Sequence, residues 1–317
     1  MTAEPAIWTR GLAKHYGETE AVGGLDLSVG EGEIFGFLGP NGAGKSTTVE
    51  MLCTLLRPTA GVAEVAGYDV CDDQDEVRRR IGLVFQESTL DADLTAAQNL
   101  RLHADLYSIP YREGRRRVLA VLDMLGLATR SSDRVRNLSG GMRRRLQIGR
   151  VLLHDPRVIF LDEPTTGLDP QTRASIWRYL HELREERGVT VFLTTHQLEE
   201  AENCDQLAII DGGRLVAEGS PAELKAVVAA DLVVLRTADD EVAARVLSER
   251  YDLPSVVGPG GLRLRVADAA RMVPRLCTGL SVPVYSVAVT APTLDDAFLQ
   301  HTGHAIRDTE DSRAERG

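Results

Sequence analysis

The sequence lacks any long apolar run, which limits how the protein can meet a membrane. No stretch approaches the roughly 18 to 20 consecutive apolar residues that a membrane-spanning helix needs. The opening segment, MTAEPAIWTR, places no apolar stretch after a positive one, so it predicts no secretory signal. We therefore expect a chain that stays in the cytoplasm and does not span a membrane.

Cysteine, lysine and net positive charge are also scarce. The four cysteines stand at no metal-site spacing, so we expect reduced and mostly buried thiols. A formal net charge of −11 argues against a non-specific nucleic-acid binder, which usually carries a basic surface. Only three lysines accompany 33 arginines, and one of the three, Lys45, lies in a glycine-rich loop. That loop is therefore a candidate functional site.

Strand and helix patterns alternate over the first two thirds of the chain. Residues 5–30 predict short strands with a turn at Gly17, and about 88–154 predict a helical insertion. Continuous apolar runs are expected of strands that are buried on both faces of a parallel sheet. Four such runs are present: EIFGFLG, IGLVFQ, RVIFLDEP and VTVFLTTH. We predict an α/β domain over 1–228 with a mostly parallel sheet.

After Pro221 the pattern changes to that of a smaller α+β unit. Strand, helix, strand, strand, helix and strand patterns follow, and they predict a ferredoxin-like βαββαβ unit at 229–303. Thr293 and Asp296 form the pattern of a capping box at the start of a last helix. Residues 304–317 are charged and poor in apolar groups, so they predict a disordered tail.

The segment GPNGAGKS fits the phosphate-loop pattern G-x-x-x-x-G-K-[ST]. Its glycines let successive backbone N–H groups point at phosphate oxygens, and the helix that follows adds its positive N-terminal end. Lys45 brings a positive charge to the β and γ phosphates, and the Ser46 hydroxyl can bind Mg²⁺. The predicted ATP-binding residues of the loop are Gly39, Pro40, Asn41, Gly42, Ala43, Gly44, Lys45, Ser46 and Thr47.

A second apolar strand pattern ends in two carboxylates, Asp162 and Glu163. In a phosphate-loop fold this strand end lies beside the Mg²⁺ ion, and we assign that position to Asp162. Glu163 lies one residue further on, where it can polarise the water that attacks the γ phosphate. The pair therefore predicts a metal ligand followed by a catalytic base.

The order of the motifs is more specific than any one of them. After the phosphate loop come Gln86 at a strand end, Leu138-Ser139-Gly140-Gly141-Met142, Leu161-Asp162-Glu163-Pro164, Gly167-Leu168-Asp169, and His196 at another strand end. This order strongly resembles the nucleotide-binding subunit of ATP-binding cassette (ABC) transporters over about residues 5–225. The resemblance implies a P-loop NTPase fold, with a mostly parallel sheet, an antiparallel β subdomain and a helical insertion.

The resemblance also implies roles for residues on the far side of the nucleotide. Ser139, Gly140 and Gly141 match the signature that caps ATP bound to the opposite subunit, so two copies of the chain would hold two ATP molecules between them. Asp169 matches the loop that crosses the interface of this homodimer.

Three further roles follow from the resemblance at matching positions. Gln86 matches the residue that senses Mg²⁺ and water and links to the transport partner, which makes it a third predicted metal contact besides Ser46 and Asp162. His196 matches the switch histidine at the γ phosphate. Tyr16 matches the aromatic residue that stacks on adenine, although a tyrosine near a glycine turn is often a packing residue.

The segments LSGGMRRRL and APTLDDAFL resemble the daunorubicin-resistance type of exporter ATPase. In that group the ATPase is a separate polypeptide paired with an ABC-2 type permease, which implies export of a drug or other hydrophobic compound from the cytoplasmic face of the membrane. Two alternatives stay open: the ATPase of an ABC importer, and an ABC ATPase outside transport.

Some features fit more than one interpretation. The arginine clusters at 78–80, 115–117 and 143–145 are solvated helix faces, or else some of them meet anionic lipid or the permease. The C-terminal unit either adds dimer contacts or regulation, or is a stabilising cap. Many relatives carry an acidic residue where this chain has Gln147, and we expect little effect of that difference on the chemistry.

Overall fold

The computed structural model describes residues 4–228 and 230–306, which divide into two compact units. The first unit extends to Pro221, and the second spans Ala222–Ala305. Among the described residues, no helix combines the length and the apolar character needed to cross a membrane.

The first unit alternates strands and helices, as the sequence predicts. Its strands are β1 (Ile7–Tyr16), β2 (Thr19–Val29), β3 (Ile34–Leu38), β4 (Ala60–Val65), β5 (Tyr68–Asp69), β6 (Ile81–Val84), β7 (Val158–Asp162), β8 (Thr190–Thr195), β9 (Gln206–Asp211) and β10 (Arg214–Gly219). Its α-helices are α1 (Lys45–Leu52), α2 (Gln74–Arg80), α3 (Ala96–Leu106), α4 (Tyr111–Met124), α5 (Gly140–Val151), α6 (Pro170–Arg187) and α7 (Leu198–Ala201). Helix α8 (Pro221–Ala226) begins at Pro221, where the first unit gives way to the second.

The central sheet explains why the motifs meet. Its strand order is β10-β9-β3-β8-β7-β6, and all neighbours are parallel except β10, which is antiparallel to β9. Strands β3, β7 and β8 are almost fully buried, which matches their continuous apolar sequences. Because parallel strands end at the same edge, the residues after β3, β6, β7 and β8 come together there.

A second sheet covers part of this unit. It is antiparallel, in the order β2-β1-β4-β5, and its buried side chains join those of α1 and the central sheet in one core. Helices α3, α4 and α5 form the helical insertion, between β6 and β7. The α/β fold with a mostly parallel sheet, an antiparallel β part and a helical insertion is thus confirmed.

The second unit is a separate α+β arrangement. It contains the strands β11 (Asp231–Thr237), β12 (Ser255–Gly258), β13 (Gly261–Val266) and β14 (Val284–Thr290), and the helices α9 (Asp240–Tyr251), α10 (Ala269–Gly279) and α11 (Leu294–Thr302). Its antiparallel sheet has the order β12-β13-β11-β14. The β-α-β-β-α-β order of elements is that of ferredoxin-like units. Apolar side chains of the sheet, α9 and α10 form its core.

Several details differ from the sequence-based expectations. The strands expected to be short at 5–30 are long, because β1 and β2 form one antiparallel ribbon of 10 and 11 residues around the turn at Gly17. Of the cysteines, only Cys53 and Cys204 are buried, whereas Cys71 is partly exposed and Cys277 is exposed, so the expectation of mostly buried thiols is only half right. The predicted disordered tail lies, from residue 307 onwards, outside the described residues.

Candidate nucleotide site

The loop between β3 and α1 requires glycine at both ends. Gly44, the residue before α1, has φ 98°, and a Cβ there would lie 2.5 Å from the Ala21 carbonyl oxygen. At Gly39 a Cβ would lie 2.3 Å from the Ile210 carbonyl oxygen. Larger residues would push the loop away from its neighbours. The glycines therefore let the backbone turn tightly enough to direct its N–H groups and the start of α1 at one point.

Lys45 lies at the floor of this loop. Its side chain is buried, with 6% exposure, and its Nζ donates to the carbonyl oxygens of Gly39 at 2.7 Å and Pro40 at 3.0 Å. Burial lowers the pKa of Lys45, while the carboxylates of Glu163 and Asp162 act in the opposite direction. The structure thus holds an ammonium group inside the loop, with carboxylates close enough to favour its charged form.

Asp162 is fixed by the neighbouring strand. The hydroxyl of Thr194 on β8 donates to Asp162 Oδ1 at 2.5 Å. The backbone N–H of Glu163 donates in turn to the Thr194 carbonyl and hydroxyl oxygens, both at 3.2 Å. One threonine therefore orients both members of the acidic pair where β7 ends.

The Glu163 carboxylate is the centre of a polar network. Its Oε1 lies 2.8 Å from Nδ1 of His196, and its Oε2 accepts from Gln86 Nε2 and Thr166 Oγ1, each at 3.3 Å. These partners follow the ends of β6, β7 and β8, so the parallel sheet gathers them from distant parts of the sequence. The carboxylate side chain is only 10% exposed, which favours one fixed orientation.

These groups border a single open cavity of about 720 Å³. Its size suits a ligand of nucleotide dimensions, and its walls are mainly polar. The lining residues are Ala21, Asn41, Gly42, Gly44, Lys45, Ser46, Thr47, Gln86, Asp162, Glu163, Thr166 and His196. The predicted phosphate-loop, acidic-pair and strand-end residues therefore share one cavity, except for Gly39, Pro40 and Ala43. Of these three, Gly39 and Pro40 contact the lysine of the cavity.

Other predicted residues do not line this cavity. Tyr16 is 51% exposed at the end of β1, with the Lys14 ammonium 5.3 Å from its ring centre. Ser139 caps α5 by accepting from the Met142 N–H at 3.2 Å, and Gly140 and Gly141 form the first turn of that helix. Asp169 caps α6 in the same way, accepting from Thr172. Within one chain, the signature residues and the phosphate loop are thus separate.

Sequence reasoning missed several residues that shape the site. Thr194, Thr166 and Ala21 belong to no recognised pattern, and only their contacts reveal them. Arg144 does not fit the interpretation of the 143–145 cluster as a solvated helix face. It is buried, and it donates to backbone carbonyls beside the acidic pair. No local signal separates it from the arginines on either side.

A parallel sheet with a glycine-rich loop before a helix, and an Asp-Glu pair ending a nearby strand, defines a phosphate-loop nucleotide-binding cassette. A family model described as ABC transporter matches residues 22–166. The chain is 44% identical to daunorubicin resistance ATP-binding protein DrrA3 of Streptomyces coeruleorubidus, over 95% of this chain and 97% of that protein. It is 39% identical to Nod factor export ATP-binding protein I of Ralstonia nicotianae, over 96% of each chain.

Solved structures give the same result. The structure of cbiO1 from Clostridium perfringens, part of the ABC transporter complex cbiONQ, superposes with a TM-score of 0.66 at 28% identity, covering 78% of this chain and 97% of that chain. A dimeric ATP-binding cassette in a post-hydrolysis state with ADP and Pi gives 0.61 at 32% identity, covering 68% and 98%. This chain belongs to the ATP-binding subunits of ABC transporters, and it is therefore an ATP-hydrolysing transporter subunit.

Proposed function

We propose that this subunit energises export of a drug or other hydrophobic compound through a separate ABC-2 type permease at the cytoplasmic face of the membrane. The similarity to daunorubicin resistance proteins extends over nearly the whole chain, including the second unit. Relatives are named for daunorubicin resistance and for export of Nod factor, and removal of a drug from the cell is one way to resist that drug. This supports export more than import or a role outside transport.

The residues present fit ATP with a magnesium ion. Mg²⁺ usually keeps few protein ligands and takes the rest of its oxygen shell from phosphates and water. Ser46, Gln86 and Asp162 line the cavity and would supply a hydroxyl, an amide oxygen and a carboxylate. Among residues 4–228 and 230–306 there is no group of three or more His, Cys, Asp or Glu that could hold a metal alone. A site shared with phosphates needs no such group.

Each side chain of the cavity has a distinct task in hydrolysis. Lys45 neutralises charge on the β and γ phosphates, and the loop N–H groups hold their oxygens. Glu163 accepts a proton from the attacking water, or orients that water, through its carboxylate. His196 lies against the same carboxylate, where it fixes the direction of Oε1. It is also proposed to contact the γ phosphate. The magnesium ion, when bound with ATP, offsets the charge that develops on the transferred phosphoryl group.

The second half of each site comes from a second copy of the chain. Ser139 and the N–H groups at the start of α5 suit an anion, because helix N-termini carry partial positive charge. They do not line the cavity of their own chain. A head-to-tail homodimer brings them to the γ phosphate of the partner, with Asp169 at the interface. Two solved neighbours are described as dimeric cassettes, which supports this arrangement. Tyr16 is proposed to stack on the adenine.

One observation carries the proposed roles in hydrolysis: the carboxylate of Glu163 is fixed by His196, Gln86 and Thr166 in the same cavity as the Lys45 loop. The export proposal rests on the similarity to daunorubicin resistance proteins over nearly the whole chain. The test is a pull-down from detergent-solubilised host membranes with tagged Glu163→Gln protein, ATP and Mg²⁺. Recovery of an ABC-2 type permease without an external binding protein is the expected result. The Lys45→Ala protein serves as the control with weakened ATP binding, at an ATP concentration too low to saturate it.

Other outcomes would decide against parts of the proposal. Recovery of a permease together with an external substrate-binding protein would identify an importer and overturn export. Recovery of ribosomes or DNA-associated proteins and no permease would contradict a transport partner of this kind, and would leave the ATPase assignment in place.

A further inference from the structure

Arg144, on the helix that begins at the signature residues, holds the backbone around the acidic pair. Its Nε donates to the Pro164 carbonyl oxygen at 2.7 Å, and its Nη2 donates to those of Asp162 at 3.0 Å and Glu163 at 3.4 Å. Three consecutive carbonyl groups therefore converge on one guanidinium group. The planar fork of arginine is suited to such a task, because its donors are fixed relative to one another.

The segment that Arg144 holds has an unusual backbone. Glu163 has φ 45°, in the left-handed region that residues other than glycine, asparagine and aspartate rarely adopt. Such a conformation persists only when its surroundings enforce it, and it is common at functional sites. Here the Arg144 guanidinium holds the carbonyl side of the turn, and Thr194 holds the Glu163 N–H on the other side. The direction of the Glu163 side chain depends on both.

The same guanidinium also reaches the other partner of the carboxylate. Its Nη1 donates to the Phe85 carbonyl oxygen at 2.6 Å, and Phe85 directly precedes Gln86, whose amide contacts Glu163. Further along α5, Gln147 donates to the Glu87 carbonyl at 3.1 Å and Arg150 to the Thr89 carbonyl at 2.9 Å. Donors one helical turn apart thus hold alternate carbonyls of the Gln86 segment. An acidic residue at 147 would have no hydrogen to donate there.

The setting of Arg144 indicates more than a surface contact. The side chain is 6% exposed. Burial lowers its pKa to about 10, while Asp162 and Glu200 act in the opposite direction, so the guanidinium stays charged at neutral pH. Glu200, itself buried, accepts from the hydroxyl of Thr165 in the same turn. The four hydrogen bonds of this buried charge all go to backbone carbonyls. Burying a charge is a costly way to support a core, and such an arrangement specifies a single geometry.

We propose that Arg144 is a positioning residue for ATP hydrolysis, which ties the Glu163 turn and the backbone before Gln86 to α5, the helix capped by Ser139. The inference rests on the proposed roles of Glu163 and of the signature residues. The N-terminal end of α5 caps the nucleotide of the partner subunit, and Arg144, about one helical turn later, holds the backbone around Glu163 in its own chain. Binding of α5 to the partner's nucleotide therefore acts on the geometry of its own chain's catalytic site. Displacement of α5 therefore changes hydrolysis without changing the phosphate loop.

The test compares Arg144→Met, Arg144→Lys and the control Arg145→Met in the purified full-length chain. Arg145 lies on the same helix and donates to the Leu125 carbonyl, away from the cavity. We expect Arg144→Met to lower kcat about 100-fold, as misplacement of a catalytic group by an ångström can do. The dissociation constant for a fluorescent ATP analogue should stay within about threefold, because Lys45 and its loop are untouched. Arg144→Lys should fall between this variant and the wild type, and Arg145→Met within about twofold of wild type.

A double-mutant cycle with Glu163→Gln shows whether Arg144 acts through Glu163. If it does, Arg144→Met causes no further loss of kcat once the carboxylate is gone. An undiminished further loss in that background would overturn the inference. A Glu163→Gln protein with normal turnover would instead refute the proposed base, which keeps the two failures distinct.

Amide hydrogen exchange supplies a readout that needs no activity. Peptides covering residues 162–168 should exchange faster in Arg144→Met and Arg144→Lys than in wild type or Arg145→Met, while the α1 peptide is unchanged. If Arg144→Met does not fold, Arg144→Lys decides, since it keeps the buried charge. An Arg144→Lys variant with wild-type kcat and wild-type exchange at 162–168 would show that the guanidinium group is not needed, which would overturn the inference.

Discussion

The two units of this chain have sheets with similar numbers of β-strands, but neighbouring strands run in different relative directions. In the first unit, four neighbouring parallel strands end at one edge, and the residues that follow them share a cavity. In the second, all neighbours are antiparallel, so strand ends alternate between edges and no such convergence arises. The relative direction of the strands, more than amino-acid composition, therefore determines which unit brings functional side chains together. Substitutions in the first unit should therefore change turnover and ATP binding, whereas substitutions in the second should change stability.

The largest expected effect is the loss of turnover in Glu163→Gln. Removing the proposed base should lower kcat for ATP by about 10²–10⁴-fold while ATP binding persists. The comparison is Glu199→Gln, whose side chain is 84% exposed and paired with Arg173, and which should hydrolyse ATP normally. Steady-state phosphate release with a parallel binding titration measures both. Normal turnover in Glu163→Gln would show that another group activates the water.

In the second unit the largest effect should be on stability. Leu247 is fully buried among the strands and helices of that unit, and Leu247→Ala should cost about 2–5 kcal/mol of its unfolding free energy by removing packed methyl groups. Val256→Ala, at a 70% exposed position, should cost less than about 0.5 kcal/mol. Denaturant unfolding measures the stability of each variant, and a separate ATP titration of the folded protein measures its affinity. A large loss of ATP affinity in folded Leu247→Ala protein would break the contrast between the units.

Lys45→Ala should weaken ATP binding rather than stability. Loss of a charge-assisted hydrogen bond is worth about 1.5–3 kcal/mol, or roughly 10–150-fold in dissociation constant. Lys225→Ala, in the second unit, is the matched lysine control and should bind ATP as the wild type does. Isothermal titration of both proteins with ATP and Mg²⁺ makes the measurement. Equal affinities would mean that the ammonium group does not meet the phosphates.

Two threonines on one strand give the smallest and most local contrast. Thr194→Val removes the hydroxyl that orients Asp162 and the Glu163 N–H, at a cost of about 1 kcal/mol and roughly a fivefold fall in turnover. Thr190, at the other end of β8, accepts from the Gly32 N–H and is equally buried. Thr190→Val should lose similar stability and keep its turnover. Thermal unfolding and kcat are compared for both, and equal kcat values would remove Thr194 from the site.

The sequence predicts those parts of the site whose physics is local. The loop from Gly39 to Ser46 follows from residue types at fixed spacing, and Asp162 follows from its place at the end of an apolar strand. The family, the fold and ATP hydrolysis are confirmed by relatives and solved structures. The roles of individual residues, magnesium, the homodimer and the permease stay predictions.

What the sequence does not predict depends on contacts between distant segments. Thr194 and Asp162 are 32 residues apart, and Arg144 and Phe85 are 59 apart. Neither pair has a spacing rule, because packing of the sheet and α5 brings them together. The arginine cluster shows the limit best: three identical neighbours differ only in which direction each leaves the helix. Of the three, only Arg144 donates to the backbone of the acidic pair.

The left-handed backbone at Glu163 has a consequence for how the protein can evolve. Glycine and asparagine suit that conformation better than glutamate, but neither can serve as a base. Selection for thermal stability alone would reward replacements at this position that end ATP hydrolysis. Selection for transport retains the residue with the less favourable backbone. Directed evolution of a more stable variant therefore has to monitor hydrolysis throughout, since at this position the two goals conflict.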